Sequence, residues 1–361
     1  MRIAYLGQMA DVSTENGISK KIRAQANAWL GAGHAVRYFA LTPTDTAWSG
    51  LAPLETELLA RGNPLIRVVQ SRRLAQRIRA WRPDVIYFRY AHHSPGLPAL
   101  FREIPAVAEI NSDDQTEYPL TLSPLKRAYH RLSRTRVLRA VAGFVPVTRE
   151  LAQRFAGFAK PTEVIANGIE LDDFAVAPPP ATPPSLVFVG SPGTPWHGLE
   201  RVAEIGALFP NLTVDVIGCS AADWTRTASA PAGLRFHGHL ARDHYEPIVG
   251  HATAALGTLA LFRKRMDEAC PLKVREYLAM GLPVIAGYED TDIPAAADYF
   301  LRLPNNAAPL ADERARLAAF LDRWRLQRVP RAAVLHLDTG IKETHRLAFL
   351  HGFVRNGKAR P

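Results

Sequence analysis

Two carboxylates, Glu268 and Glu276, stand with seven residues between them in the stretch M-D-E-A-C-P-L-K-V-R-E-Y-L-A-M-G-L-P-V-I-A-G, residues 266–287. Pro271 lies between them and suits the first turn of a helix, because its missing N–H would be unpaired there anyway. The pattern predicts a short helix over 272–280, stopped by Gly281 and kept from continuing by Pro283, and then a short buried strand over 283–286. Glu268 then falls in the loop before the helix and Glu276 inside its second turn. The free N–H groups of Leu272, Lys273 and Val274 would sit at a positive helix end, suited to an anionic group such as a diphosphate, with one carboxylate on each side. An ordinary capped helix with two incidental glutamates satisfies the same spacing.

Other residues with chemistry to offer fall in loops after strands, where ligands gather in doubly wound folds. Asn16-Gly17 closes the polar loop after a first strand over 3–7. The segment N-S-D-D-Q-T-E-Y, 111–118, follows a strand over 105–110, so Asn111 stands at that strand's carboxyl end; an Asx-capped turn is its other use. Ser191 and His197-Gly198 lie in the loop 191–198, after a strand over 185–190. Arg263, Lys264 and Arg265 precede Asp267, either as charge for an anion or as a solvated loop. His92-His93 lack a third ligand, and Cys219 and Cys270 form no spaced framework, so no metal site is predicted.

The glutamate stretch resembles the Glu-x7-Glu signature of retaining glycosyltransferases of family 4, which have the GT-B fold. A close version of that signature reads S-P-L-K-x-x-E-Y-x-A-x-G-x-P-V-I. Pro271-Leu272-Lys273 and the run from Glu276 to Ile285 match it nearly position for position. The segment V-I-A-N-G-I-E-L-D-D-F, 164–174, resembles the family's P-N-G-V-D-x-x-x-F element and its last strand of the first domain, with Ala166 in place of Pro. Asn16-Gly17 stands where the family has a Gly-Gly loop near the donor phosphates. Glu109-Ile110-Asn111 resembles a subset with Glu-x-Asn where other members have a His beside the transferred sugar.

The resemblance implies retaining transfer of a sugar from a nucleotide-diphosphate sugar, with no metal and no cofactor. It places Glu268, Asn111 and His197 at the reacting centre. The amides of Ala269, Cys270, Leu272 and Lys273 would hold the diphosphate, and Glu276 the ribose hydroxyls. The family usually carries Gly-Arg and a later Lys-Gly after the first strand of its second domain; here Ser191 and His197-Gly198 stand in their place. A histidine protonated beside two phosphates would restore one charge, and Arg263, Lys264 and Arg265 would supply more. The implied acceptor is a glycan or a lipid-linked saccharide of cell-surface polysaccharide synthesis. A GT-B epimerase of nucleotide sugars, or a protein that binds nucleotide sugars without turning them over, would keep the same donor site.

The elements that must position these residues alternate β and α in both halves, which predicts an α/β fold. With the resemblance this becomes GT-B: two Rossmann-like domains facing each other across a cleft. The run A-P-P-P-A-T-P-P, 177–184, is stiff and cannot join a sheet interior, so it marks a linker. The expected parts are an N-terminal, acceptor-side domain over 1–177, a donor domain over 185–335, and a helix over 340–356 that returns to the first domain. Residues 54–66 are ambiguous, and 71–81 form an amphipathic helix with Leu74, Ile78 and Trp81 on one face. A helix over 123–141 carries Arg127, Arg131 and Arg134 at i, i+4 and i+7, a basic stripe suited to an anionic membrane surface or simply a solvated face.

Composition bounds the rest. A chain of 361 residues, 47% hydrophobic and 22% charged, fits two globular cores. No apolar run approaches the ~18–20 residues of a spanning helix, and residues 1–7 read as a strand rather than a signal peptide. Two unspaced cysteines point to a reducing, cytoplasmic setting. The net charge of +10 favours a phosphate-bearing donor or the inner face of a membrane, where the protein would sit peripherally. Nucleic acid is not an expected partner, since zinc-finger spacings and RNP-like aromatic strands are missing from the sequence.

Overall fold

The structure, a computed structural model, describes residues 1–8, 17–42, 54–60, 62–91, 93–180, 182–223 and 233–357. Asn16 and His92 lie outside the described residues. The chain divides into two compact units, Met1–Ala166 with Thr339–Pro361, and Asn167–Asp338.

The first unit runs β1 (Arg2–Gln8), α1 (Gly17–Gly31), β2 (Ala35–Thr42), β3 (Glu55–Ala60), α2 (Pro64–Trp81), β4 (Val85–Arg89), α3 (Leu97–Glu103), β5 (Ala106–Ile110), α4 (Asp114–Thr121), α5 (Pro124–Ala140), β6 (Gly143–Pro146) and α6 (Arg149–Phe155). The second runs β7 (Ser185–Val189), α7 (Leu199–Leu208), β8 (Thr213–Ile217), β9 (Leu234–Gly238), α8 (Arg242–His251), β10 (Ala254–Leu256), β11 (Glu268–Ala269), α9 (Leu272–Ala279), β12 (Val284–Ala286), β13 (Glu289–Asp290), β14 (Phe300–Arg302) and α10 (Arg314–Arg323). Helix α11 (Thr339–Gly357) then belongs to the first unit.

Each unit is a six-stranded parallel sheet. The orders are β3-β2-β1-β4-β5-β6 and β14-β12-β10-β7-β8-β9, with β11 and β13 paired separately. Parallel strands need helical crossovers and are buried on both faces, which is why β5 reads A-V-A-E-I and is buried throughout. In the first unit Tyr5, Tyr38, Tyr87 and Trp29 form an aromatic cluster, with Tyr5 and Tyr87 edge to face at 5.3 Å. Helix α11 joins this core through Leu350 and through Glu343, which accepts the Trp29 indole N–H at 2.8 Å.

The passage between units falls after Ala166, upstream of the proline run. The following segment bonds within the second unit: Ile169 N–H donates to Leu337 O at 3.0 Å and Ala177 N–H to Met280 O at 2.9 Å. The segment 164–174 is not a ladder strand; what joins β6 here is a single bridge from Phe144 to Thr162 and the Ile165 N–H donated to Pro146 O at 3.0 Å.

Two helices differ from their sequence patterns for local reasons. Helix α2 begins well before residue 71 because Asn63 Oδ1 accepts the N–H groups of Leu65 and Ile66, both at 3.0 Å. Residues 114–118, read as part of a loop, belong to α4 because Asp113 caps it and accepts the Gln115 N–H at 3.0 Å, despite Pro119 inside.

Candidate functional site

In the second unit the carboxyl ends of β7 and β8 come close. A Cβ on Gly218, whose φ is +82°, would lie 2.3 Å from Gly190 O, so only glycine fits there. The loop after β7 turns through Pro195–His197, and Leu259 and Ala260 donate their N–H groups to the carbonyls of His197 and Trp196 at 3.2 and 3.1 Å. Gly198, at φ +75°, lets this turn approach: its Cβ would meet Ala260 at 3.0 Å.

Helix α9 starts after Pro271, whose carbonyl accepts the Val274 N–H at 3.2 Å. Of the three first-turn amides proposed to face an anion, Val274 is therefore engaged within the turn, which leaves Leu272 and Lys273. The helix ends in a Schellman arrangement, with Gly281 N–H on Leu278 O at 3.0 Å, Leu282 N–H on Tyr277 O at 2.9 Å, and Gly281 at φ +79°. Glu268 is not in a loop: it opens β11, opposite Glu289 of β13, and its Oε2 accepts the Thr291 hydroxyl at 2.7 Å. Glu276 is half-buried in the second turn of α9, with the Tyr245 hydroxyl of α8 at 3.5 Å from its Oε2.

The side chain of Lys273 reaches back to β7. Its Nζ donates to Val189 O at 2.9 Å and lies 4.4 Å from the centre of the Phe188 ring. Burial pushes this ammonium down to about 7. His197 Nδ1 accepts the Ser191 N–H at 3.3 Å. Burial first, and then the ammonium groups of Lys273 and Lys264, push its pKa down to about 2. In the ligand-free chain this favours a neutral imidazole, held by Ser191, beside two lysines. The basic triplet is also distributed differently from a simple phosphate clamp. Arg263 pairs with Glu200 at 2.7 Å and donates to Pro195 O at 2.7 Å, while Lys264 Nζ lies 4.6 Å over the Trp196 ring. Arg265 follows in left-handed backbone, at φ +51°.

Beneath this surface lies a buried polar centre that the spacing argument missed. Arg275 is fully buried and donates to Asp290 at 2.7 and 2.8 Å, to Asn167 O at 3.0 Å and to the Cys270 sulfur at 2.8 Å. Asn167 returns the contact, its N–H on Cys270 Sγ at 3.0 Å and its amide on Cys270 O. The Cys270 side chain thus faces inward, and burial pushes its thiol up to about 11. This centre ties Asn167-Gly168 to the stretch that carries Glu268 and Glu276. A signal was present: Arg275 sits on the buried side of a helix, next to Val274 and Leu278, where a cation demands a buried acid.

In the first unit, Asn111 stands at the carboxyl end of β5. Its Nδ2 donates to Glu109 Oε2 at 2.9 Å and its Oδ1 accepts from Lys21 Nζ at 2.9 Å. Glu109 is wholly buried and also takes Lys21 at 2.7 Å, Arg89 at 3.0 Å and the Tyr87 hydroxyl at 2.9 Å. Burial alone would raise the Glu109 carboxyl, but Lys21 and Arg89 hold it below the usual range. Gly17 begins α1, the helix that carries Lys21. The two units therefore hold separate clusters: Asn111 in one; Ser191, His197, Lys273, Glu268 and Glu276 in the other. Among the described residues, groups of three or more His, Cys, Asp or Glu able to hold a metal ion are absent.

Residues 16–173 match the sequence model of Glycosyltransferase Family 4. No curated protein matches the chain by sequence. Solved structures match its fold over nearly the whole length. A glycosyltransferase from Rickettsia africae has TM-score 0.69 at 13% identity, over 98% of this chain and 99% of that one. The lipopolysaccharide outer core galactosyltransferase WaaB, in its apo form, has TM-score 0.67 at 12% identity, over 97% and 99%. Anabaena HepE, in complex with UDP and glucose, has TM-score 0.64 at 14% identity, over 97% and 99%. Residues 16–173 thus resemble glycosyltransferase family 4, and the chain as a whole has the two-domain GT-B fold.

Proposed function

We propose that this protein is a retaining glycosyltransferase that moves a hexosyl or related sugar from a nucleotide-diphosphate sugar to a glycan or lipid-linked saccharide. The observation that carries this reading is the disposition of Glu268 and Glu276 before and within α9, with Lys273 in its first turn. The family 4 match in the other unit supports it. So do the neighbours' own ligands and roles: HepE was seen with UDP and glucose, and WaaB acts on the lipopolysaccharide outer core.

In this reading Glu276 accepts the ribose hydroxyls and Glu268 faces the sugar. Lys273 and the amides of Leu272 and Lys273 stabilise negative charge on the leaving diphosphate. The acceptor attacks from the face the leaving group departs, and the leaving phosphate takes the acceptor proton, so no dedicated protein base is required. The reaction takes no cofactor. His197 acts as a neutral group that holds the Ser191 loop rather than as a second phosphate cation.

A thermal-shift panel of nucleoside diphosphates and their sugars tests the donor. A bound ligand at 100 times its Kd adds about 2.7 kcal/mol of stability. One base class should raise the melting temperature, and its sugar should release nucleoside diphosphate on incubation. A panel in which every nucleotide leaves the melting temperature unchanged overturns the reading.

A membrane-borne acceptor is part of the proposal, and its surface differs from the predicted stripe. Arg134 is turned inward, bound to Asp114 at 2.6 Å and lying over Phe155 and Phe158, so it leaves the Arg127–Arg131–Arg134 row. The exposed face of α5 instead presents Leu125, Tyr129 and Leu132 at i, i+4 and i+7, with Lys126, Arg131, Arg136 and Arg139 exposed on the same helix and no carboxylate in it. An apolar strip edged by cations suits an anionic bilayer, at about 1 kcal/mol per cation near the surface. Leu132→Ser should reduce co-sedimentation with phosphatidylserine vesicles at low salt. Equal recovery of the parent protein on phosphatidylcholine and phosphatidylserine vesicles would remove the membrane from the account. Among the described residues, no helix is long and apolar enough to cross a membrane.

A further inference from the structure

Transfer chemistry alone does not explain why a lysine is buried in the first unit. Lys21, 7% exposed, lies in the second turn of α1 and touches both members of the Glu-x-Asn pair. The chemistry of its partners fixes the orientation of the Asn111 amide. An ammonium only donates, so Oδ1 must face Lys21; a carboxylate only accepts, so Nδ2 must face Glu109. A flipped amide would set N–H against N–H and oxygen against oxygen. Asn111 is therefore gripped at both ends, with one N–H and one oxygen lone pair left over. It is half-buried at the carboxyl end of a parallel strand, where such folds bind ligands.

Glu109 alone would not hold this pose. With Lys21 absent, Asn111 Oδ1 would lose its donor, and among the described residues the buried carboxylate would keep Arg89 as its one ion-pair partner in direct contact. Leaving a buried acceptor short of a donor is costly, and the amide would be free to turn.

We propose that Lys21 is a positioning residue for glycosyl transfer, which locks the Asn111 amide so that its remaining N–H meets a hydroxyl of the transferred sugar or acceptor. This rests on the transferase reading above. The grip depends on charge. Around Lys21 and Glu109 stand Gln25 on α1, Tyr5 on β1, Arg89 and Tyr87 on β4, and Arg346 beside Glu343 on α11. Burial lowers Lys21 to about 8, with Glu109 opposing the shift. The protonated form is the one that grips, so kcat should fall as pH rises through about 8.

Lys21→Met and Lys21→Arg, each shown folded by circular dichroism, test this in two ways. The first is crystallographic. Asn111 should keep one amide pose in the parent and in K21R, and rotate or split in K21M. The second uses UDP-glucose and GDP-mannose as probes, following sugar release to water or to added glycan. K21M should lower kcat roughly ten- to hundredfold with the donor KM little changed, while K21R should retain activity and lose the alkaline fall. An alkaline fall that persists in K21R, or a K21M crystal with Asn111 unmoved, overturns the proposal. If the parent turns over neither probe, the crystals still decide the role of Lys21, and that failure counts against the transferase reading instead.

Discussion

Arg275→Met should destabilise the second unit by about 3–5 kcal/mol, the cost of leaving a buried charge without its partner. Arg275 and Asp290 both have fully buried side chains, and the guanidinium donates two hydrogen bonds to the carboxylate at 2.7 and 2.8 Å. Methionine fills most of the volume, so the loss comes from Asp290, stranded in a medium that penalises charge. Asn167 O and Cys270 Sγ would lose donors as well. The two units need not unfold together, so the readout is the transition assigned to the second unit rather than a single midpoint. Arg275→Met with Asp290→Leu should recover much of the loss, because an apolar pair carries no stranded charge. If Arg275→Met melts with the parent protein, the buried pair contributes nothing and the role given to this centre is wrong.

What was legible beforehand and what was not divides along physical lines. Pro271, Gly281 and Pro283 act through their own backbones, so the short helix and its stop could be read from the residues alone, and α9 ends with Gly281 at positive φ. Parallel strands such as β4 and β5 are buried on both faces and stand out as largely apolar runs. The failures share a cause, which is dependence on a distant partner. Arg134 looked like one more surface cation until Asp114 and two phenylalanines drew it inward. The low pKa of His197 in the ligand-free chain was not legible, because it is set by burial first and then by Lys273 and Lys264, 76 and 67 positions further along the chain. Glu268 looked like a loop residue because its strand partner, β13, is only two residues long and carries no pattern. Lys21 was invisible for the same reason: its partners, Glu109 on β5 and Asn111 just after it, are some ninety residues away.

The two glutamates should separate cleanly by function. Glu276→Ala should weaken binding of the nucleoside diphosphate by roughly 1.5–3 kcal/mol, the usual worth of a hydrogen bond to a charged group. Glu268→Ala should leave that affinity near the parent value and lower turnover, since its contacts strengthen as charge develops on the sugar. Glu268 also accepts the Thr291 hydroxyl, so a loss in E268A has a structural rival. Thr291→Val separates them: it removes the hydroxyl and keeps the carboxylate, and it should retain most of the activity. Lys273 supplies an independent sign. Its pKa near 7 in the free protein should rise beside a diphosphate, so binding takes up a proton. Affinity should then be greatest below pH 7 and decline as pH climbs above it, and Lys273→Met should both weaken binding and flatten that slope. Isothermal titration in two buffers of different ionisation enthalpy reads the proton directly. If E276A binds the diphosphate like the parent and E268A turns over like the parent, β11 and α9 are a short strand and a capped helix with two incidental glutamates, and the donor must be held elsewhere.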